Sequence, residues 1–290
     1  MSSADLLDDI LYKSLDGFTL PDVYLRLRQV MDSEGSTMTD AANVISMDPT
    51  LAARVLRMAN SAFYGMRSQV DTINLAANVL GMQKLHDLTL AISVSKATGT
   101  MNNEVMDLNT FWHRSVHCGF LAKQIAESAG WHNVESIFVR GLLHDIGHLV
   151  LFSTYPDESR QVLDHSGQGL EGQMQEEQDS IGAHALQLTA KLAQLWQLPQ
   201  SFIDTFQHLL HPEEVDSPLA REIAILNIAI QFTRNSDTDT LDEDVLEQVR
   251  PEIWEIAGLE PDAGMAVLDE STQTMSEAMY KIITQQENGN

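Results

Sequence analysis

The sequence predicts an all-α fold, and three observations along its 290 residues support that prediction. Apolar residues recur every three or four positions through most of the chain, which is the period of a helix with one buried face. Capping residues and isolated glycines separate these stretches, as is typical of helix ends. A strand-like pattern occurs only around residues 68–73, where the sequence is equally compatible with a turn.

The clearest helix is predicted to begin at Asp48, whose side chain can cap it, because Pro49 suits the first helical position. The pattern closes at Gly65. Its expected buried face consists of three residues at helical spacing, Leu51, Val55 and Met58. We therefore expect this segment to be structural.

Further helical patterns follow along the chain. They cover residues 73–97 with a break at Gly81, then 105–129, 134–144, 181–197, 199–210, 218–233, 243–258 and 263–285. Residues 165–180 are rich in Gly, Gln and Glu and are expected to be exposed. Residues 235–247 form a polar stretch that lacks the glycine and the acidic spacing of a calcium loop, so we predict no calcium site there.

The composition is that of a globular protein, since 43% of the residues are hydrophobic. The sequence contains one cysteine, Cys118, which excludes an intramolecular disulfide and a cysteine-rich zinc site. It has no secretory signal pattern and no long apolar run, so we expect a cytoplasmic protein.

The charge of the chain is strongly negative and unevenly placed. The net charge is −25, of which residues 1–150 carry −5 and residues 151–290 carry −20. Such a surface repels phosphate backbones and anionic lipids, so we expect no direct nucleic-acid binding and no membrane binding. The acidic half is expected to be a solvated face, and the sharper hypothesis is a docking surface for a basic partner.

The stretch GLLHDIGHLVLF at residues 141–152 carries the most chemical information. His144 and Asp145 place an imidazole beside a carboxylate, and this pair suits divalent metals. The dipeptide alone is a weak signal. The flanking GLL and IG make it much stronger.

Other short motifs accompany this one along the chain. They are LPDV (20–23), DPTLAARVLRMANSAFYG (48–65), LG (80–81), FW (111–112) and WQLP (196–199). Together with GLLHDIG they resemble the HDOD domain family over roughly residues 17–212. The motifs are specific in combination.

The resemblance implies two helical lobes, at about 17–100 and 101–212, followed by an acidic C-terminal helical extension over 213–290. It also implies a bacterial signalling or regulatory protein. The family is related to the HD superfamily of metal-dependent phosphohydrolases, which includes cyclic-dinucleotide phosphodiesterases. Its own members usually act as output or adaptor modules.

The metal ligands that the resemblance implies are incomplete in this chain. The family pattern has a histidine directly before the serine at position 115, and Arg114 stands there, with His113 one residue early. One residue turns a helical side chain by about 100°. We therefore expect Arg114 to face inward, whereas His113 and His117 are expected to face solvent.

Two later positions also lack the metal ligand that the family pattern implies. Ala185 stands where the family pattern has a histidine, and His184 lies at the edge of that apolar face. The late aspartate is expected on the helix over 219–232, where Asn227 is the only interior polar candidate. His144 and Asp145 are then a remnant pair, which would hold a catalytic divalent ion weakly.

Three residues allow two interpretations each. His148, one turn after His144, is a possible third ligand, but a structural histidine is favoured. Asp145 is a possible general base, but pairing with a neighbouring cation is favoured. Cys118 lies on an apolar helix face and is expected to be inert.

We expect a catalytically silent signalling protein that needs no cofactor and acts through protein partners, other signalling proteins among them. In place of a metal, Arg114 is predicted to form a buried ion pair with Asp145. The alternative is a metal-dependent phosphohydrolase acting on a nucleotide or cyclic dinucleotide, with Fe, Mn, Ni or Mg held by His144, Asp145 and other histidines. A third hypothesis is a small-ligand sensor that uses the remnant pocket between the lobes.

Overall fold

A computed structural model of the chain describes residues 3–14, 20–62, 64–66, 69–99, 103–132, 134–164, 169–235, 246, 248–262 and 270–284. Every regular element within these residues is a helix. The all-α prediction is therefore confirmed. Of the stretch around residues 68–73, residues 69–72 are irregular, and a helix begins at Ile73.

The α-helices are numbered here in chain order. They are α1 (Ser3–Ser14), α2 (Asp22–Asp32), α3 (Met38–Ser46), α4 (Pro49–Ala59), α5 (Ile73–Leu80), α6 (Met82–Thr98), α7 (Leu108–Ser128), α8 (Val134–Leu143), α9 (Ile146–Thr154), α10 (Pro156–Asp164), α11 (Gly169–Ile181), α12 (Ala185–Leu195), α13 (Gln200–Gln207), α14 (Leu219–Asn235), α15 (Pro251–Ala257) and α16 (Glu270–Thr284). A short 3₁₀ turn, Pro212–Glu214, lies before α14. None of the described helices is both long and apolar enough to cross a membrane.

The chain divides into two compact units. The large unit contains residues 1–16 and 101–272, and the small unit contains residues 17–100 and 273–290. Helices α2 to α6 and most of α16 therefore belong to the small unit. Helix α1 and helices α7 to α15 belong to the large unit.

In the small unit, α4 begins as the sequence predicts. Asp48 Oδ1 accepts hydrogen bonds of 3.0 Å from the backbone N–H groups of Thr50 and Leu51, which caps the first turn. The three residues of the expected inner face are all buried, namely Leu51, Val55 and Met58. This face packs within a bundle in which α4 contacts α3, α5 and α6.

The last helix, α16, is fixed to the small unit by its final turn. The guanidinium Nη1 of Arg54 and the hydroxyl of Ser95 both donate to the carbonyl oxygen of Ile283, at 3.1 and 3.0 Å. This carbonyl group lies in the last turn of α16, where the helix has no backbone N–H group to bond it. The two side chains therefore supply the missing hydrogen bonds. Arg54 and Ser95 are both buried.

In the large unit, two glycines allow α7 and α8 to pack closely. A Cβ atom on Gly141 would lie 2.7 Å from the Cα atom of Gly119, so neither position has room for a side chain. Helix α14 packs against both helices, and the side chains of Ile225, Leu226 and Ile228 are fully buried there. Residues 219–235 thus form part of the core of this unit.

One expectation about exposure is wrong. The stretch over 165–180 was predicted to be exposed, but the described part forms α11 and buries Leu170, Gln173, Met174 and Glu177. These positions follow a helical period, so one face of a polar segment turns inward and its polar groups find buried partners. Residues 165–168 and most of 235–247 lie outside the described residues.

Candidate functional site

The GLLHDIG segment forms the corner between α8 and α9. Gly147, in the first turn of α9, touches α12 so closely that a Cβ atom would collide with the backbone oxygen of Ala185. Its N–H donates to Thr189 Oγ1 at 3.0 Å, and this hydroxyl donates to the carbonyl oxygen of His144 at 3.1 Å. The corner is therefore locked to α12, which fixes the direction of the histidines on either side of it.

His148 lies between two carboxylates. Its Nδ1 atom donates to Asp145 Oδ1, and its Nε2 atom donates to Glu177 Oε1 at 2.7 Å. Burial by itself would lower the pKa of His148, but the two carboxylate charges outweigh burial and raise it to about 10. His148 is therefore a buried cation at neutral pH.

The contacts with His148 keep the carboxylates of Asp145 and Glu177 ionised. Burial would raise the pKa of Asp145, yet the His148 charge and hydrogen bond hold that pKa well below its usual range. The pKa of Glu177 is also lowered, against burial, by His148. Glu177 further accepts hydrogen bonds from the backbone N–H of Ala185 at 2.8 Å and from Gln173 Nε2 at 2.9 Å.

His144 is buried and neutral. The residue is only 7% exposed. Its Nδ1 atom donates to the carbonyl oxygen of Gly141 at 2.6 Å. Desolvation by burial lowers its pKa. Because Nδ1 carries the proton, Nε2 is left as a bare acceptor, and among the described residues it has no hydrogen-bond partner.

A cavity of about 200 Å³ opens beside these residues. Its polar wall includes His144, Asp145, His148, Gln173 and two arginines, Arg114 and Arg234. Its apolar wall includes Phe152, Leu163, Leu170, Met174, Leu186 and Ile230. All these residues belong to the large unit.

The predicted site residues come together at this cavity. His144, Asp145 and Arg114 all line it, so Arg114 faces inward as its helical position predicts. The hydrogen bond of Asp145 goes to His148. The favoured interpretation of Asp145, a carboxylate beside a cation, matches that contact, and the ion pair between Arg114 and Asp145 stays a prediction.

Two expectations about neighbouring side chains are wrong. His113 and His117 were expected to face solvent, but both are half-buried. Burial lowers the pKa of His117, and the nearby His113 adds to that shift. The reason is that α7 packs against both α8 and α14, so it has little solvent-facing surface.

Asn227 is not the only interior polar residue of α14, since Glu222, Gln231 and Thr233 are buried as well. Its side chain donates to the carbonyl oxygen of Leu209 at 2.8 Å and does not line the cavity. Arg234, about 10 Å further along the same face of α14, does line the cavity. Ala185 is fully buried, as its apolar face predicts.

Three residues of the site were missed in the sequence. Gln173 and Glu177 lie in a stretch that the sequence predicts to be exposed, although their spacing of four places them on one helix face with Leu170. Arg234 donates to Gln173 Oε1 at 2.6 Å and so links α14 to α11. Its position near the end of a helix gave no signal of a role in a cavity.

These donors do not fit the metal centre that the resemblance implies. Asp145 and Glu177 each direct an oxygen at the His148 cation, and the second oxygen of Glu177 accepts from a backbone N–H. In the described parts of the chain, no three His, Cys, Asp or Glu side chains are grouped to hold a metal ion. A catalytic divalent ion usually needs three protein ligands.

Comparisons with known proteins agree with this fold. A model of the family described as HDOD domain matches residues 18–212. An uncharacterized protein of Treponema pallidum (strain Nichols) is 27% identical over 236 residues, which are 80% of this chain and 44% of that protein. The chain therefore spans less than half the length of this curated relative.

Solved structures are similar as well. A candidate phosphohydrolase from Shewanella amazonensis SB2B has a TM-score of 0.71 and 27% identity, covering 94% of this chain and 97% of the other. An HDOD domain protein of unknown function from Geobacter sulfurreducens has a TM-score of 0.73 and 22% identity, covering 97% and 99%. The second similarity concerns the fold alone.

Proposed function

The chain belongs to the HDOD domain family, and from that premise we propose that it is a catalytically silent signal-transduction protein of the bacterial cytoplasm that acts by contacting other proteins. The single observation that supports this most is the position of His148 between Asp145 and Glu177. Asp145, a carboxylate that lines the cavity, is already paired with a cationic side chain of the protein itself.

The charge of the cavity supports the same proposal. A divalent metal would have to compete with the His148 cation for Asp145, while Arg114 and Arg234 line the same space. Like charges at close range repel in a low-dielectric site. These side chains therefore give little support to metal-dependent hydrolysis of a phosphate ester.

A protein partner fits the surface charge. Residues 151–290 carry a net charge of −20, which repels nucleic acids and anionic lipids and attracts a basic protein surface. We propose that the partner is another signalling protein with a basic face. Its binding should weaken as salt is added, because exposed charges are screened over about 8 Å at physiological ionic strength.

The decisive experiment is a hydrolysis screen. The chain, purified without chelator, is incubated with cyclic mononucleotides, cyclic dinucleotides and generic phosphodiesters in the presence of Mn, Fe, Ni or Mg. We expect no turnover above that of buffer. Metal-dependent turnover that disappears in Asp145→Ala but persists in Asp179→Ala, an exposed position, would refute the proposal.

The alternative function, a metal-dependent phosphohydrolase acting on a nucleotide or cyclic dinucleotide, has two observations in its favour. The Nε2 atom of His144 is available as a ligand, and one structural relative at 27% identity is a candidate phosphohydrolase. Elemental analysis of the purified chain tests it. A stoichiometric transition metal that is lost in His144→Ala would favour the hydrolase.

A further inference from the structure

The lining of the large unit's cavity combines polar side chains, called here its polar side, with apolar side chains, called here its apolar side, and α9, α11 and α14 each contribute to both. The cavity volume of about 200 Å³ exceeds the roughly 150 Å³ that suffices to hold benzene. Side chains such as Phe152, Leu170, Met174 and Ile230 form the apolar side. A ring or branched alkyl group with short polar substituents would fit this space.

The polar side presents a cation that is only partly used. Arg234 donates through Nη2 to Gln173 Oε1, a neutral amide. No ion pair of Arg234 is found within the described part of the chain, and its charge is balanced only at longer range by Asp145 and Glu177. A guanidinium presents five N–H donors, so several remain for a ligand in the cavity.

The same side presents an acceptor. His144 is more than nine-tenths buried and lines the cavity. Within the described residues its Nε2 lone pair is not used. An O–H or N–H group of a ligand in the cavity would satisfy this acceptor.

We propose that this cavity binds a small carboxylic acid that has an apolar body and one O–H or N–H group. The carboxylate binds Arg234, with Arg114 adding positive charge from the same wall. The O–H or N–H group donates to His144 Nε2, and the body packs against the apolar side. This goes beyond the proposed function, since it makes the protein responsive to a metabolite as well as to a partner.

A monoanionic carboxylate fits better than a phosphate dianion. Asp145, which accepts from His148, lines the same cavity as the two guanidiniums, so a ligand of single negative charge gains from Arg234 while adding less repulsion from Asp145 than a dianion does. Both groups can accept paired hydrogen bonds from arginine. Carboxylate and phosphate ligands therefore differ here in their charge, and the affinity of the cavity for each can be measured.

The test uses the full chain and four probes of similar size: mandelate, phenylacetate, benzyl alcohol and phenyl phosphate. Binding is measured by calorimetry and by the shift in melting temperature. We expect mandelate to bind in the millimolar range or below. Phenylacetate, which lacks the hydroxyl, should bind more weakly, and benzyl alcohol and phenyl phosphate should bind weakest.

Variants assign the contacts. Arg234→Gln should weaken mandelate binding by about tenfold or more, because a charged hydrogen bond is lost. The matched control Arg160→Gln removes the same charge from an exposed site in the same unit and should change nothing. In His144→Ala the preference for mandelate over phenylacetate should vanish, while retained binding of phenylacetate shows that the cavity is still folded.

Three results would overturn the proposal. Neither carboxylate shifts the melting temperature at millimolar concentration, or phenyl phosphate binds as tightly as mandelate, or Arg160→Gln weakens binding as much as Arg234→Gln. None of these results bears on hydrolysis, which the screen of phosphate esters decides separately.

Discussion

His148 Nε2 donates to Glu177 Oε1 over 2.7 Å, and this hydrogen bond joins α9 to α11. Since the other ring nitrogen of His148 faces Asp145, the imidazole is a cation enclosed by two carboxylates. The interaction also orients Gln173, which in turn accepts from Arg234 on α14. One buried histidine thus connects three helices of the large unit.

The first prediction concerns pH. His148 has a pKa near 6.5 when unfolded and about 10 when folded, so the stability it contributes is fully present below about pH 6.5. That contribution is lost progressively as the pH rises through 10. Urea unfolding from pH 6.5 to 10 should therefore give a free energy of unfolding that falls more steeply for the wild type than for His148→Gln. Parallel curves would contradict this prediction.

The second prediction concerns Glu177→Gln. The change leaves the shape of the side chain intact but removes one of the two carboxylate charges that face buried His148, so the free energy of unfolding should fall by about 3–5 kcal/mol. Chemical denaturation measures it. Asp179→Asn, two residues along the same helix and exposed, is the control and should change stability by less than about 0.5 kcal/mol.

The third prediction concerns the proposed ion pair of Arg114 with Asp145. In a double-mutant cycle of Arg114→Met and Asp145→Asn, a direct pair gives a coupling energy above about 0.5 kcal/mol. The cycle of His148→Gln with Asp145→Asn serves as the reference, since that hydrogen bond is present in the structure. A coupling near zero for Arg114, beside a large one for His148, would refute the ion pair.

The fourth prediction concerns the glycine of the GLLHDIG motif. Gly147→Ala places a methyl group against the backbone of Ala185 and 2.9 Å from the backbone nitrogen of Thr189. Because backbone cannot move aside cheaply, we expect a loss of several kcal/mol, as for other severe overpacking. Gly99→Ala, where the nearest atom would be 3.3 Å away, should be far milder in a thermal melt.

The fifth prediction concerns the anchoring of α16. Arg54→Met removes the guanidinium that donates to the Ile283 carbonyl oxygen and should cost about 1.5–3 kcal/mol, the range for hydrogen bonds of charged groups. Limited proteolysis should then cut the C-terminal segment faster. Arg57→Met lies on the exposed side of α4 and provides the control. Equal cleavage rates in the two variants would contradict the anchoring role.

The helical fold was predictable because helix formation depends on local periodicity and on capping. Asp48 caps α4, Gly81 separates α5 from α6, and the inner face of α4 is buried as its spacing predicts. His144, Asp145 and Arg114 were likewise placed on one wall by motif and helical phase. The caps and the buried face follow from residues close together in the sequence, whereas the placement of Arg114 beside His144 and Asp145 rested on the family resemblance.

The sequence by itself determined the all-α class, the family and a helix that ends close to His144. Only the tertiary structure decided that His148 binds Glu177, which lies 29 positions away on α11, and that Arg234 of α14 completes the cavity wall. The physical reason is that a polar residue on a helix looks the same in sequence whether it faces water or a buried partner. Its role is set by the charges that other helices bring within hydrogen-bond distance.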